Sequence, residues 1–143
     1  MDDIDRRLVS LLADNSRISL HELSKKVFLS PPAVSSRIEK LEKGGVIKGY
    51  SLRLDLEKLG YSFVAYIELP MEPEQKEKFV DFISENPSVL ECYHIAGAYS
   101  MLMKVCFDSS SKLYDFVGKL QRFGKTQTQI IFTNIIEARN PRP

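Results

Sequence analysis

Basic and short polar side chains are concentrated between Arg17 and Lys48. This stretch has seven basic and three acidic residues, whereas residues 51–143 have eleven basic and twelve acidic residues. The formal net charge of the whole chain is only +1. Because local charge rather than total charge determines whether a surface attracts DNA phosphates, the stretch is a candidate for nucleic-acid binding.

Two helices separated by a tight turn must position these side chains. Ser19 and Glu22 form the capping-box pattern that begins a helix, and Ser30 followed by Pro31 begins a second one. The second helix has apolar residues at i, i+4 and i+7, which are Val34, Ile38 and Leu41. A short helix followed by one that presents small polar and basic side chains predicts a helix-turn-helix that reads DNA.

The side chains beside this apolar stripe divide into two chemical groups. Short ones near the start of the second helix let the backbone approach base edges in the major groove, and they are Pro32, Ser35 and Ser36. Basic ones hold phosphates, and the candidates are Arg17, Arg37, Lys40, Lys43 and Lys48. Arg37 has an alternative role, because an ion pair with Glu39, Glu42 or an acidic residue of the first helix would only position the helices.

A further helix near Asp3–Asp14 precedes these two and completes a three-helix unit. Its apolar residues recur at helical spacing, and they are Ile4, Leu8, Leu11 and Leu12. Gly44 and Gly45 end the third helix. Val46–Leu54 is predicted to be a short extended wing that continues as a strand-like connector. The expected boundaries are residues 1–50 for DNA binding, 51–61 for the connector and 62–143 for a second domain.

The second domain shows a regular alternation of strand and helix patterns. Strands are predicted at Ser62–Leu69, Val89–Ile95, Met101–Phe107 and Thr128–Ile136, and helices at Pro73–Glu85 and after a serine cap at 109–111. The order β-α-β-β-α-β predicts a ferredoxin-like four-stranded antiparallel sheet with both helices on one face. The fold class is therefore α+β, with a winged helix-turn-helix domain joined to a ferredoxin-like domain.

The strands of this second domain carry apolar residues in both alternation phases. In the first strand, Phe63 and Ala65 lie on one face, whereas Val64 and Tyr66 lie on the other. Two helices cover one face only, so the other face needs a second cover. The sequence therefore predicts a homodimer that forms through the second domain.

The chain resembles the Lrp/AsnC family, the leucine-responsive or feast/famine transcriptional regulators. The resemblance rests on LSPPAVSSRIEKLEKGGVIKGY at Leu29–Tyr50 and on VLECYHIAGAYSMLMKV at Val89–Val105. It implies a recognition helix that extends, with its start at Ser30, to Lys43. It also implies an intracellular regulator of amino-acid metabolism built of dimers, often as a tetramer of dimers, which binds double-stranded DNA and a free amino acid at subunit interfaces.

The effector region implied by the resemblance contains one departure from the family pattern. Its residues are Gly97, Ala98, Tyr99, Ser100, Met101, Thr126, Gln127 and Thr128. Ser100 stands where the family has an Asp that fits the ammonium group of a ligand. Because burying an ammonium group without a carboxylate partner is costly, either the ligand differs or the protein works without one.

Several function classes find little support in the sequence. The charged N-terminus indicates no signal peptide, and no apolar run is long enough for a membrane span, so a cytoplasmic, nucleoid-associated protein is expected. His21 and His94 are far apart, and no glycine-rich phosphate loop is present. No catalytic residue, metal site or cofactor other than an amino-acid effector is therefore predicted.

Two alternatives to a ligand-controlled regulator remain open. Ser35 and Ser36 offer no bidentate contact to bases, which favours a DNA-architectural protein that wraps or bends DNA without an effector. The second alternative is an enzyme, because some tetrapyrrole decarboxylases resemble this family's fold.

Overall fold

The computed structural model describes residues 1–141 and 143. The chain divides into two compact units, which are Met1–Arg53 with the described part of Ile136–Pro143, and Leu54–Ile135. No helix in the described part of the chain is long and apolar enough to cross a membrane.

The N-terminal unit contains three helices, which are α1 Asp3–Asp14, α2 Leu20–Val27 and α3 Pro31–Lys43. The capping box at Ser19 and Glu22 and the cap at Ser30 are confirmed, and a second capping box links Asp2 and Asp5 at the start of α1. One face of each helix is buried in a shared core, formed by Leu8, Leu12, Leu23, Val27 and Val34. This core fixes the angle at which α3 presents its other face.

The second unit contains the predicted β-α-β-β-α-β order. Its elements are β1 Phe63–Leu69, α4 Lys76–Ser84, β2 Val89–His94, β3 Met101–Phe107, α5 Ser110–Leu120 and β4 Gln127–Ile130. The strands form one antiparallel sheet in the order β2-β3-β1-β4. The ferredoxin-like prediction is therefore confirmed.

Both helices of this unit pack on the same face of the sheet. Alternate residues of β1 and β3 are buried there, including Ala65, Ile67, Met103 and Val105, and they contact apolar residues of α4 and α5. Four aromatic rings, those of Phe79, Phe82, Phe116 and Phe123, add edge and stacked contacts within this layer. The opposite face carries no helix among the described residues, and we call it the open sheet face.

Three predicted elements differ from the structure. The last strand ends at Ile130 rather than Ile136. Among the described residues β4 pairs with β1 alone, and β1 begins at Phe63, so the ladder ends soon after the bond from the Ile131 N–H to the Val64 carbonyl. The helix predicted from Pro73 begins instead with a 3-10 turn, Pro73–Gln75.

The predicted wing is the third difference. The described residues between α3 and β1 contain no strand. The backbone N–H groups of Val46 and Ile47 both donate to the Leu41 carbonyl, at 2.9 and 3.1 Å. These donors are used to close the end of α3, so they are not available for pairing with a neighbouring strand.

Candidate DNA interface and effector region

The outward face of α3 is polar and accessible. Pro32, Ser36, Lys40 and Lys43 are exposed, and Ser35 is half-buried. These residues lie opposite Val34 and Leu41, which are buried in the core of the unit. The side chains at Pro32 and Ser36 are short, so the start of α3 can approach the floor of a groove closely.

Ser30 has a structural role at the start of this face. Its hydroxyl accepts a hydrogen bond from the Ala33 backbone N–H at 3.4 Å and caps the helix. The side chain is exposed. Pro31 and Pro32 have no backbone N–H, and the N–H groups of Ala33 and Val34 both donate to Ser30, so the backbone at the start of α3 offers no free N–H to a phosphate.

The predicted basic residues other than Arg37 all lie at the surface. Arg17, Lys40, Lys43 and Lys48 are exposed. Lys40 and Lys48 make no ion pair within the described residues, whereas Lys43 lies 3.6 Å from Glu39 in a solvent-exposed pair. Exposed pairs of this kind contribute little, so all four cations can bind a phosphate.

Arg37 does not belong to this accessible group. Its Nη1 donates to the Asp2 and Asp5 carboxylates at 2.7 Å each. Asp5 is the better shielded partner, with 18% of its side chain exposed. The structure therefore places Arg37 in the alternative arrangement, an ion pair with the first helix.

This ion pair joins the recognition helix to the cap of α1. The Asp2 carboxylate accepts the Asp5 N–H at 2.9 Å, and the Asp5 carboxylate accepts the Asp2 N–H at 3.1 Å. The Asp5 N–H, followed by the Arg37 guanidinium, lowers the pKa of the Asp2 carboxyl from its ordinary value. The pairing could not be assigned from sequence, because Arg37 also has Glu39 and Glu42 on its own helix.

The segment after α3 is fastened to that helix by a side chain. The Tyr50 hydroxyl donates to Glu42 at 3.0 Å. Burial, followed by the Glu42 carboxylate, raises the pKa of the Tyr50 hydroxyl. Tyr50 therefore holds the chain around Lys48 beside the end of the recognition helix.

The turn that contains Ser100 is fixed by bonds within the chain. The Ser100 carbonyl accepts the Ile95 N–H at 2.8 Å, and the Ser100 N–H donates to the Leu69 carbonyl at 3.2 Å. The Ser100 hydroxyl accepts the Met71 N–H at 3.2 Å. All three polar groups of this residue therefore have partners in the protein.

The same turn is joined to β4, which brings the two predicted halves of the effector region together. The Tyr99 hydroxyl donates to the Gln127 side-chain oxygen at 2.7 Å. Thr126 is half-buried and Thr128 is exposed, but Thr128 pairs with Ile67 and therefore lies on the opposite face of the strand from Gln127. Gly97, Ala98 and Met101 complete the turn, with Met101 buried at the start of β3.

Gly124 is a residue of this region that sequence reasoning gave no specific role. Its φ is +155°, and a Cβ there would lie 2.7 Å from the Pro70 carbonyl oxygen. Only glycine allows the chain before β4 to pass so close to the end of β1.

Within the described residues, no group of three or more His, Cys, Asp or Glu side chains could hold a metal ion.

Comparisons with known proteins support this arrangement over nearly the whole chain. The winged helix-turn-helix DNA-binding family matches residues 1–48, and the Lrp/AsnC ligand binding domain family matches residues 64–141. The transcriptional regulator LrpC of Bacillus subtilis is 36% identical over 135 residues, which are 94% of each chain. Its structure matches with a TM-score of 0.89 at 35% identity, covering 96% of this chain and 99% of that one.

A second solved structure is similar over the same length. It is a feast or famine regulatory protein from M. tuberculosis complexed with L-methionine, with a TM-score of 0.91, 33% identity and 99% of each chain covered. The characterised relatives, including LrpC and the M. tuberculosis LrpA, are named as transcriptional regulators and not as enzymes. The chain therefore belongs to the Lrp/AsnC family of transcriptional regulators, with an N-terminal DNA-binding helix-turn-helix and a C-terminal ligand-binding domain.

Proposed function

We propose that this chain is a sequence-specific regulator of amino-acid metabolism that binds double-stranded DNA as a cytoplasmic, nucleoid-associated homodimer. The observation that carries the proposal is the outward face of α3, where short side chains lie beside exposed cations on a helix whose opposite face packs into the core of the three-helix unit. Residues 1–50 bind DNA, 51–61 form the connector, and 62–143, of which residue 142 lies outside the described part, bind the effector and oligomerise.

The residues of the DNA interface have three different roles in this proposal. Pro32, Ser35 and Ser36 face base edges, where short side chains allow close approach. Arg17, Ser30, Lys40, Lys43 and Lys48 face phosphates. Arg37 acts as a positioning residue, because both of its carboxylate partners belong to the cap of α1.

The open sheet face supports the homodimer. Val64, Tyr66 and Leu102 are half-buried on this face. A second copy placed on this face would remove these side chains from water and offset the entropic cost of association. Two recognition helices then require an imperfect palindrome with half-sites about one helical turn apart, or a multiple of it. Dimers assemble further into a tetramer of dimers.

An amino acid bound between subunits modulates this activity. The support comes from the relative complexed with L-methionine and from the junction that joins Gly97–Met101 to Thr126, Gln127 and Thr128. A ligand that bridges subunits there stabilises one assembly over another by its differential affinity.

A second candidate function is a DNA-architectural protein that works without an effector. The observation that favours it is at Ser100, whose hydroxyl already accepts the Met71 N–H. Ser100 also supplies no carboxylate to bind the ammonium group of an amino acid. Thermal unfolding with each of the twenty amino acids at millimolar concentration separates the two candidates. A ligand-dependent rise in Tm supports the ligand-controlled regulator, whereas no rise with any of them supports a protein that works without an effector. Footprinting then identifies the architectural protein, which should give extended periodic protection with hypersensitive bands instead of a few phased protected sites.

The DNA interface is tested by the salt dependence of binding. We expect Lys40→Ala to weaken binding and to reduce the slope of log K against log salt by roughly one. Arg37→Ala should weaken binding to the preferred site while leaving that slope unchanged. An unchanged slope for Lys40→Ala together with a reduced slope for Arg37→Ala would reverse the two assignments.

A further inference from the structure

The exposed face of α5 has features that nothing within the chain explains. Gly118 lies in the last turn of this helix, and inside a helix glycine is less favourable than alanine by up to about 1 kcal/mol. A Cβ at this position would meet no atom within 4 Å, so the fold itself does not require a glycine. One turn earlier, Tyr114 leaves 79% of its surface exposed.

These two residues form a protrusion and a recess on one surface. A shallow depression of about 350 Å³ lies beside them and is lined by Tyr114, Asp115, Val117, Gly118, Lys119 and Gln121. Residues at i and i+4 lie about 6 Å apart on a helix surface, so Tyr114 and Gly118 share one side of α5, where the tyrosine side chain leans toward the helix N-terminus and the backbone at Gly118 is bare. Small residues let two helices approach closely, and tyrosine is enriched in the interfaces that result.

This face also carries one acidic and one basic side chain, separated by one helical turn as Tyr114 and Gly118 are. Asp115 and Lys119 are also four residues apart and both are exposed. They make no ion pair with each other or with any other described residue. In an antiparallel pair of these helices whose two-fold axis passes near residues 116 and 117, residue 115 of each copy lies near residue 119 of the other, and residue 114 lies near residue 118.

The geometry points to a contact between the α5 helices of two copies of this chain, related by a two-fold axis. Tyr114 of each copy fills the recess at Gly118 of the other, and Asp115 of each pairs with Lys119 of the other. Such an interface is self-complementary, as a two-fold contact requires. It builds on the homodimer proposed above, because α5 lies on the helix side of the sheet and leaves the open sheet face available.

The molar mass of the full chain in solution, measured by light scattering or sedimentation, tests this contact. The chain mass is 16.3 kDa. The wild-type protein should contain at least four chains, and Gly118→Leu or Asp115→Lys should reduce it to two. The double variant Asp115→Lys with Lys119→Asp should restore the larger assembly, because the opposite charges again face each other. Glu77→Lys, an equal charge reversal on α4, is the matched control and should keep the wild-type mass.

The possible outcomes test the α5 contact separately from the homodimer on which it rests. A wild-type mass of one chain would contradict the homodimer. A wild-type mass of two chains, or a larger assembly that survives both Gly118→Leu and Asp115→Lys, would overturn the α5 contact and leave the homodimer intact. Leucine favours helix, so circular dichroism should show that Gly118→Leu keeps the fold.

Discussion

The two units of the chain use apolar residues in different ways. In the N-terminal unit, the buried apolar residues form one core between three helices, and the outward face of α3 is polar. In the second unit, the sheet has a core on one face and half-buried apolar residues, including Val64 and Leu102, on the other. The first unit therefore buries its apolar core between its own helices, whereas the second leaves apolar side chains on the open sheet face, the face that we propose for the homodimer.

The largest effect is expected from a charge placed on the open sheet face. Leu102→Glu puts a carboxylate opposite Glu68 in the β1–β3 ladder and into the proposed dimer contact. Because burying an unpaired charge costs several kcal/mol, the dimer dissociation constant should rise by about two orders of magnitude or more. Val80→Glu on the exposed side of α4 is the control and should leave the dimer intact. A dimer that persists in Leu102→Glu would place the interface elsewhere.

A smaller loss is expected in the N-terminal unit from Arg37→Ala. This change removes two charge-assisted hydrogen bonds to Asp2 and Asp5, so Tm should fall at neutral pH. Lys40→Ala, on the outward face of the same helix, should leave Tm close to that of the wild type.

The pH dependence of this loss has a definite sign. The folded state lowers the pKa of Asp2 from its ordinary value of 3.8. Stability from this carboxylate is therefore fully present above the ordinary value and is lost as the pH falls through the lower, folded value. The Tm difference between wild type and Arg37→Ala should be constant at higher pH and should shrink on acidification. A difference that grows on acidification would contradict the ion pair.

Ser100→Ala tests the internal bonding of the effector turn. Loss of the hydroxyl leaves the Met71 N–H without its partner and should cost about 1 kcal/mol in the free energy of unfolding, measured with urea. Ser110→Ala, which removes a hydroxyl without a hydrogen-bond partner among the described residues, should change stability by much less. Equal losses in the two variants would show that the Ser100 hydroxyl does not fasten the turn.

The smallest effect concerns Phe28, in the turn between α2 and α3. Its φ is +56° and its ψ is +42°, a left-handed conformation that favours glycine, and 91% of its surface is exposed. Phe28→Gly should therefore raise the free energy of unfolding by about 0.5–1 kcal/mol, because strain is relieved and little burial is lost. Phe28→Ala keeps the Cβ and should show no such gain. A loss of stability in the glycine variant would mean that the ring packs against another surface.

The elements that depend on local signals could be predicted from the sequence. The caps at Ser19 and Ser30, the periodicity of α3 and the strand order of the second unit all follow from neighbouring residues, and the structure confirms them. The length of the last strand could not be predicted, because it depends on where β1 begins. Its apolar residues beyond Ile130 continue the strand pattern, yet Phe132 is 97% exposed.

Among the site residues, too, the features set by neighbouring residues could be predicted, and those set by distant residues could not. The outward position of Ser36 and Lys40 follows from the apolar stripe of one helix. The partner of Arg37 lies 32 to 35 residues away along the chain, and the Ser100 hydroxyl bonds across 29 residues. Long-range pairings of this kind depend on the packed fold, so the sequence left the role of each residue open.

The central claim is that the outward face of α3 reads the sequence of DNA. Selection of bound fragments from random double-stranded DNA tests it most directly, with wild-type protein and Ser36→Arg compared at the same salt concentration. We expect an imperfect palindrome for the wild type, and we expect Ser36→Arg to change the preferred base at the same position of both half-sites, towards guanine. No enriched motif for the wild type, or an identical motif for both proteins, would contradict the claim.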